Sequence, residues 1–428
     1  MMEVIGINSV WVMLGAILVL FMQGGFILLE AGSTRMKNAG HVAGKTIFTV
    51  GIVSIVFWAV GYALIFGGQG NAIIGWGDYF AFDVTGSSAD DAVAPSVMFI
   101  FQLAFAAVSM SIAWGGFAER AKLSAYLIFA VLFSVLVYPV IAHWIWGGGW
   151  LAEHGDQDFA GSTVVHLTGA CAALAATILL KPRIGKYNKE GKPNNMPGHN
   201  QVFTTLGVMI LWVGWFGFNA GSTLTVEDGS FFGFVAINTQ LGAAAGAVAA
   251  LLIAWAVMGK ADVGMMLNGA LAGLVAITAS CAYVDSWAAI VIGLIAGILV
   301  FFSIRFFEKM RIDDPIAALS AHGTAGIWGT LSTGFFATPE LVEKLGVGNP
   351  GLLYGGGFGQ LGVQALGVVT CAIYAFAVSF AILWVMKKTI GIRVSEEEEL
   401  VGLDMSEHGT YGYPEQLSAE NKKSNATM

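Results

Sequence analysis

Two histidines lie inside stretches of the chain that are otherwise apolar enough for a membrane. His166 belongs to GSTVVHLTGACAALAATILL, and His322 belongs to IAALSAHGTAGIWGTLSTGFF. An ionisable side chain at membrane depth is costly and usually faces a partner or a pathway through the protein. The pair therefore indicates a polar station inside a transport path.

Two adjacent neutral imidazoles suit a small molecule that forms hydrogen bonds. Each neutral ring has one donor and one acceptor nitrogen, so two rings can share a proton and still present a polar edge. Burial disfavours the charged form of the ring. The pair fits either an uncharged solute or a proton relay. The alternative is two separate histidines, each satisfied by backbone carbonyl groups.

Helices are the elements that must position these residues. The chain has 428 residues, of which 56% are hydrophobic and 11% charged, whereas a soluble domain has about 25% charged residues. A bilayer core requires about 20 apolar residues per helix, and a barrel would require an alternating pattern. We predict an all-α membrane protein with eleven transmembrane helices. The predicted spans are 10–30, 46–66, 95–118, 124–146, 163–180, 201–221, 232–257, 264–283, 287–306, 317–337 and 358–386.

The basic residues predict the orientation of these spans. With eleven spans, 19 of the 20 Lys and Arg residues fall on one side, and Lys344 is the exception. The positive-inside rule then puts the N-terminus outside and the C-terminus inside. We expect a transmembrane domain over 1–386 and a cytoplasmic tail over 387–428.

Faint internal similarity suggests two inverted halves. The sequence after His166, Leu-Thr-Gly-Ala, is similar to Gly-Thr-Ala-Gly after His322, and Glu30-Ala-Gly-Ser is similar to Asn219-Ala-Gly-Ser. The basic segment 181–200 separates five spans from the next five. Because five is odd, consecutive five-helix repeats have opposite orientation, and such repeats often place a substrate path at their interface. Chance similarity between short Gly/Ala-rich segments is the alternative.

Aromatic residues and a hydroxyl accompany the histidines. Phe101 and Phe105 occur in FIFQLAF, Trp146 in WIWGGGW, and Phe218 and Ser222 in WFGFNAGS. Aromatic faces attract cations within about 6 Å, and a hydroxyl oxygen can accept a hydrogen bond. This set predicts a cation-recruiting vestibule followed by a hydrophobic gate, although ordinary helix-packing aromatics are the alternative.

Acidic residues add three further expectations. Asp158 lies at the outer end of the fifth span and could attract a cation or cap the helix through backbone N–H groups. Glu30, followed by Arg35 and Lys37, favours a salt-bridged structural role. The predicted outer loops are acidic, which either raises the local cation concentration or only aids solubility. Their acids are Asp78, Asp83, Asp90, Asp91, Glu153, Asp156, Asp158, Glu227 and Asp228.

The chain resembles the ammonium transporter (Amt) family over essentially its whole length. Six segments support this resemblance, and their combination is far more specific than any one of them. They are FMQGGFILLEAGSTRMKN (21–38), AHWIWGGGWL (142–151), DFAGSTVVH (158–166), WFGFNAGS (215–222), DDPIAALSAHG (313–323) and GLDMSEHG (402–409).

The resemblance implies a fold and a set of site residues. The fold is eleven helices with a pseudo-two-fold axis in the membrane plane, assembled as a homotrimer with one pore per subunit. The tail around Gly402–Gly409 would contact a neighbouring subunit and respond to a P-II-type signalling protein. The implied outer ammonium site is Phe101, Phe105, Trp146 and Ser222, the gate is Phe105 and Phe218, the pore pair is His166 and His322, and the supporting acid is Asp158.

The expected function is inward transport of ammonium, or of ammonia derived from it, across the cell membrane. A Rhesus-type channel for neutral gas and an ammonium sensor that signals through a partner are alternatives. A third is an intramembrane enzyme with His166, His322 and Asp158 as metal ligands, although no HExxH motif is present. We expect no enzymatic activity, no cofactor, no metal and no nucleic-acid partner, with ammonium or ammonia and membrane lipid as partners.

Overall fold

The computed structural model describes residues 2–77, 79–80, 92–226 and 229–415. Within these ranges every regular element is helical and no β-strand forms, which confirms the all-α prediction. Helices close their backbone hydrogen bonds internally, which is required where no water is available as a partner.

Ten helical runs in the described ranges are long and apolar enough to cross a membrane. Each overlaps one of the predicted spans. The runs are Glu3–Ser33, Met36–Phe66, Pro95–Trp114, Leu123–Glu153, Ser162–Leu180, Gln201–Thr223, Phe231–Met258, Val263–Ser280, Ser286–Lys309 and Gly359–Thr389.

The predicted span 317–337 is helical but is not among these ten runs. A π-helical turn and an α-helix follow one another there, and Ser320, His322 and Thr324 lower the hydropathy of the segment. The polar residues around His322 therefore lower the mean hydropathy of this segment below that of the ten apolar runs. The count of eleven helices and the orientation remain predictions.

Several of the long runs contain breaks in regular geometry, so the elements are named individually. The α-helices are α1 (Met2–Ser33), α2 (Ala39–Val56), α3 (Tyr62–Phe66), α4 (Pro95–Trp114), α5 (Leu123–Leu136), α6 (Tyr138–Ile145), α7 (Trp150–Glu153), α8 (Thr168–Leu180), α9 (Gln201–Trp215), α10 (Phe231–Met258), α11 (Val263–Ser280), α12 (Ser286–Lys309), α13 (Ala325–Phe336), α14 (Pro339–Leu345), α15 (Gly359–Thr389), α16 (Glu396–Val401) and α17 (Leu403–His408).

Four π-helical turns interrupt or begin these helices in the part of the chain that the structure describes. We name them π1 (Phe57–Gly61), π2 (Ser162–Leu167), π3 (Phe216–Ala220) and π4 (Leu319–Thr324). Three-residue 3₁₀ turns also occur at Met36–Asn38, Gly221–Thr223 and Leu352–Tyr354. Because π-turns are rare and frequent at functional sites, π2 and π4, which contain the two histidines, are notable.

Glycines allow close contact between helices, as the run LGAAAGAVAALL (241–252) suggests. A Cβ atom on Gly246 of α10 would lie 2.3 Å from the carbonyl oxygen of Gly269 on α11. A Cβ atom on Gly293 of α12 would lie 2.2 Å from the carbonyl oxygen of Gly242. Small residues at these positions let backbones approach in a way that favours packing in membranes.

The C-terminal end of α1 and the N-terminal half of α2 form an ion pair that differs from the sequence expectation. Glu30 is salt-bridged to Lys45 at 2.5 Å, and both side chains are fully buried. Arg35 instead binds Glu119, and Lys37 donates to backbone carbonyls of the tail. The expected structural role of Glu30 holds, but the partner is wrong because α2 begins at Ala39 and carries Lys45 inside the helix, opposite α1.

A cluster of buried charges lies on the side of the protein that the sequence predicts to be cytoplasmic, and we call Glu119, Arg120, Arg183 and Asp313 the inner charge cluster. Arg183 donates to both carboxylate oxygens of Asp313 at 2.8 Å and to Glu119 at 2.9 Å. Burial alone would raise the pKa of Asp313, but the hydrogen bonds and charge of Arg183 hold that pKa well below its usual range. The cluster therefore remains ionised and paired.

The tail packs against this face. Asp404 accepts hydrogen bonds from the backbone N–H groups of Gly40 and His41 at the start of α2. Arg393 is salt-bridged to Glu399 at 2.8 Å. Residues 416–428 of the predicted tail lie outside the described ranges.

Candidate functional site

The four residues of the predicted outer site line one cavity. Phe101 and Phe105 come from α4, Trp146 follows α6, and Ser222 lies in the 3₁₀ turn after π3. The cavity has a volume of about 420 Å³. Its other lining residues are Phe66, Met98, Gln102, Ile145, Phe159 and Leu224.

Hydrogen bonds hold the polar parts of this vestibule in place. The indole Nε1 of Trp146 donates to the backbone oxygen of Asp158 at 2.9 Å. The hydroxyl of Ser222 donates to the backbone oxygen of Phe218 at 2.7 Å. Since its proton is used in this way, the Ser222 oxygen can offer only lone pairs to a molecule in the cavity.

Phenylalanine rings close the inner end of the vestibule. The ring centroids of Phe101 and Phe105 lie 4.7 Å apart, and those of Phe105 and Phe218 lie 4.1 Å apart with an interplanar angle of 31°. Trp146 meets Phe105 edge-on at 5.8 Å. All three phenylalanines are buried, so these rings separate the cavity from what lies below.

The two histidines meet directly beneath these rings. Their Nδ1 atoms lie 3.2 Å apart, and the rings stack at a centroid distance of 5.2 Å with an interplanar angle of 19°. His166 is fully buried and His322 is 4% exposed. The Nε2 atom of His166 has no hydrogen-bond partner among the described residues. The two rings therefore bond to each other and not, as in the alternative, to separate carbonyl groups.

One aromatic residue of this column was missed in the sequence. The ring of Trp215 stacks on the ring of His166 at a centroid distance of 5.1 Å, and the ring of His166 also stacks on that of Phe218 at 5.4 Å. Its Nε1 atom donates to the Thr278 hydroxyl at 2.8 Å. Its position three residues before Phe218 was the available signal, since that spacing puts both residues on one helix face.

Gln102 and Phe159 are further lining residues that sequence reasoning missed. Gln102 directly follows Phe101 in an otherwise apolar run, and an isolated amide in such a run was a usable signal. Phe159 lies in the irregular segment between α7 and π2, where no periodicity indicates which way a side chain points.

Asp158 binds the first turn of the helix that carries His166. Its carboxylate accepts hydrogen bonds from the backbone N–H groups of Gly161, Thr163 and Val164 at 2.9–3.1 Å. Burial raises the pKa of Asp158 to about 6, although these hydrogen bonds act in the opposite direction. The carboxylate is 3% exposed, so it can act on a cation in the vestibule only indirectly, through its charge and its hold on this segment.

The predicted acidic mouth is only partly described. Asp78, Asp83, Asp90, Asp91, Glu227 and Asp228 lie outside the described residues. Glu153 is exposed. Asp156 is 4% and Asp158 is 3% exposed, so their assignment to the solvent-facing acids was wrong. Hydrogen bonds fix the neighbours of Asp156 against α15, and Asp158 accepts bonds from the backbone that follows it.

The metal-ligand alternative has no support in the described ranges. There, no group of three or more His, Cys, Asp and Glu side chains is arranged to hold a metal ion. The Asp158 oxygens, which that alternative required as ligands, accept hydrogen bonds from the backbone.

Comparison with known proteins gives a uniform result. The model of the Ammonium Transporter Family matches residues 10–413. The ammonium transporter Amt2 of Archaeoglobus fulgidus is 44% identical, with the alignment covering 97% of this chain and 90% of that protein. An ammonium transporter of Bacillus subtilis is 36% identical, and the alignment covers 96% of this chain and 99% of that protein.

Solved structures show the same fold. A structure named Sensor Amt Protein has a TM-score of 0.88 and 37% identity, covering 95% of this chain and 99% of that one. The crystal structure of Candida albicans Mep2 has a TM-score of 0.84 and 31% identity, covering 91% and 87%.

Proposed function

Since this chain belongs to the Ammonium Transporter Family, we propose that it recruits ammonium at the vestibule, deprotonates it and conducts ammonia inward past the histidine pair. The family is one of transporters, not of enzymes. The chain is a multi-pass membrane protein, and we propose the plasma or inner cell membrane as its location.

Recruitment would use the vestibule formed by Phe101, Phe105, Trp146 and Ser222. Aromatic faces attract an unhydrated cation, by about 2 kcal/mol where water is excluded. The lone pairs of the Ser222 oxygen accept a hydrogen bond from ammonium. Asp158 would support the site through its charge and through the backbone oxygen that holds Trp146.

Selection would occur at the gate formed by Phe105 and Phe218. Ammonium and potassium carry the same charge, so an apolar constriction opposes both ions. Ammonium differs because it can donate hydrogen bonds and can lose a proton, after which ammonia passes as a neutral molecule. Moving a charge through such a passage without a partner would be far more costly.

The observation that carries the proposal is the contact between the Nδ1 atoms of His166 and His322 at 3.2 Å. In a neutral pair, one Nδ1 must donate and the other accept. The Nε2 atom of the donating ring is then an acceptor, and the Nε2 of the other ring carries a proton. The pair thus offers one acceptor and one donor, which matches ammonia. Ammonium would give its proton to the accepting Nε2, the shared Nδ1 proton would move to the other ring, and the Nε2 of that ring would release its proton inward, so that a proton accompanies ammonia.

Solid-supported membrane electrophysiology tests this proposal on the reconstituted wild-type protein. An ammonium jump should give a current when the proton moves with ammonia, and a change of luminal pH when ammonia moves alone. A potassium jump should give neither. Ammonium binding without a current or a luminal pH change would contradict transport and favour a sensor, as the name of the structure at 37% identity describes that protein.

We further propose the remaining organisation expected for the family. Residues 1–386 would form the transmembrane domain with its N-terminus outside, and 387–428 the cytoplasmic tail. Three subunits would assemble with one pore each, and a P-II-type protein would dock at the inner face, where α17 already contacts the start of α2. Native mass spectrometry of the detergent-solubilised chain checks the trimer, since a monomer would contradict it.

A further inference from the structure

The backbone on both sides of Asp156 is fixed to α15 by two glutamines. The Gln157 N–H donates to the Gln364 side-chain oxygen at 2.9 Å, and the Gln364 amide donates back to the Gln157 oxygen at 3.0 Å. The Gln360 amide donates to the Gly155 oxygen at 2.9 Å. These reciprocal bonds hold the segment 155–157 and prevent the Asp156 side chain from turning to solvent without breaking them.

The Asp156 carboxyl group is therefore buried in the protein, and no group among the described residues donates a hydrogen bond to it. Neither of its oxygens has a hydrogen-bond partner among the described residues, and the residue is 4% exposed. Its Oδ2 atom lies so close to Gly367 of α15 that a Cβ there would come within 2.1 Å. Asp158, two residues later, accepts three backbone hydrogen bonds, so the two neighbouring acids have opposite environments.

Among the described residues, the charged and titratable groups that interact with Asp156 provide no cation. The group on its own segment is Asp158, the group on the segment after α11 is Tyr283, and the group on α15 is Cys371. Burial, and then the negative charge of Asp158, raise the pKa of Asp156 well above its usual range. An isolated buried carboxylate is so costly that such groups normally remain neutral.

We propose that Asp156 is a positioning residue that functions in its protonated, neutral form and holds the segment 155–158 against α15. The ligand of this site is a single proton from the outer solution. The inference rests on the proposed function, because the segment it holds carries Asp158, whose backbone oxygen binds Trp146 of the vestibule. Loss of the proton puts a second negative charge beside Asp158 with no donor, which forces the segment away from α15 and releases Trp146.

The sign of the pH effect follows from the raised pKa. The contribution of Asp156 to stability is complete below the ordinary Asp pKa of about 3.9 and is lost as pH rises through its value in the folded protein. The KM for ammonium should begin to rise only as the pH passes the pKa of Asp156 in the folded protein, because only then does the folded protein lose this proton. Because a single proton is involved, the KM can rise by at most about tenfold per pH unit above the titration midpoint of Asp156.

The test compares the wild-type protein with Asp156→Asn and with Glu153→Gln, which neutralises an exposed acid on the neighbouring helix α7. Ammonium currents are recorded from acidic to mildly alkaline outer pH. The KM of the wild type and of Glu153→Gln should rise with pH beyond the change in ammonium concentration itself, whereas Asp156→Asn should lack this rise and show only the pH effect of Asp158, which all three proteins share. A KM that follows pH equally in all three proteins would overturn the proposal.

Two measurements on folded protein decide the protonation state without any transport. Infrared difference spectra at neutral pH should show the carbonyl stretch of a protonated carboxylic acid in the wild type and its loss in Asp156→Asn. The melting temperature of the wild type should fall relative to that variant as pH rises. Asp156→Leu, neutral and of similar size, provides the same comparisons if the Asn variant does not fold.

A carboxylate signal for Asp156 at neutral pH would overturn the proposal whatever the currents show. Absence of ammonium flux in every protein would instead contradict the proposed function. In that case the infrared and melting data would still decide the state of Asp156.

Discussion

The proposed pore and the inner charge cluster differ in how fully their buried polar groups are hydrogen-bonded. At the histidine pair, one contact joins His166 to His322 and the Nε2 atom of His166 has no partner among the described residues. At the inner face, Arg183 uses its backbone N–H and three side-chain nitrogens on Asp313 and Glu119. Polar atoms without a partner in the protein can bind a passing solute, whereas polar atoms that are fully hydrogen-bonded to one another hold the structure in place.

The difference also separates neutral from charged chemistry. The column from Phe101 to His322 contains aromatic rings and imidazoles, while the inner charge cluster contains ionised groups held in pairs. A fixed charge inside the pore would retain a cation or exclude it. Neutral groups with free lone pairs and N–H bonds let a small polar molecule move on, which is what conduction requires.

The largest effect is expected at the histidine pair. His166→Ala and His322→Ala each remove one half of the shared hydrogen bond and leave the other ring without its partner. A lost hydrogen bond in a desolvated site costs about 1–3 kcal/mol, so the preference for ammonium over potassium should fall by about 5- to 150-fold. Currents after ammonium and potassium jumps measure the preference.

His154→Ala is the matched control, because His154 is exposed and lies outside the pore. It should leave the selectivity unchanged. If His166→Ala and His322→Ala kept wild-type flux and selectivity, as the control should, the free hydrogen-bonding groups of the histidine pair would have no role in selecting ammonium.

Arg183→Ala tests the other side of the comparison. The change leaves Asp313 buried without its main partner and weakens the pairing of Glu119, and breaking a buried pair costs about 3–5 kcal/mol. We expect a large loss of stability by thermal melting in detergent, with ion selectivity preserved in the protein that remains folded.

Lys186→Ala provides the comparison for that loss. Its partner Glu308 is 40% exposed, and such an ion pair contributes about 0–1 kcal/mol. Equal melting temperatures for the Arg183 and Lys186 variants would show that the inner cluster is not held together by its buried pairs.

A smaller effect is expected in the vestibule at Trp146. Trp146→Leu removes an aromatic face worth about 2 kcal/mol to a desolvated cation, so the KM for ammonium should rise by up to about 30-fold with little change in selectivity. Trp255→Leu, at an exposed tryptophan on α10, should leave the KM unchanged. A loss of selectivity in Trp146→Leu would mean that vestibule and pore do not act separately.

Much of this architecture could be predicted from the sequence because lipid imposes simple rules. Long apolar runs had to be helices, and the paired motifs around His166 and His322 indicated that two distant segments meet. The family resemblance also selected Phe101 and Ser222, which local patterns alone would not join.

Other features depended on tertiary contacts that no local pattern encodes. The burial of Asp156 depends on Gln360 and Gln364, which lie about two hundred residues away. Lys45 lies just before the predicted span 46–66, yet in the structure it belongs to α2 and pairs with Glu30. The π-helical turns that present both histidines likewise have no sequence signature as clear as that of an α-helix.

The smallest effect is expected at Ser222, where the comparison is most finely tested. Ser222→Ala removes one acceptor for ammonium and also a donor to the Phe218 oxygen, and a typical hydrogen bond contributes about 1 kcal/mol. The KM should rise by about fivefold, and Ser222→Thr should restore it because the hydroxyl returns. Ammonium currents at a series of concentrations measure both variants. The contrary result would be a threonine variant that matches alanine, or an alanine variant that loses selectivity as well as affinity. Either result would mean that the Ser222 hydroxyl holds the Phe218 gate in place and does not bind ammonium, so that its role is structural like that of the inner charge cluster.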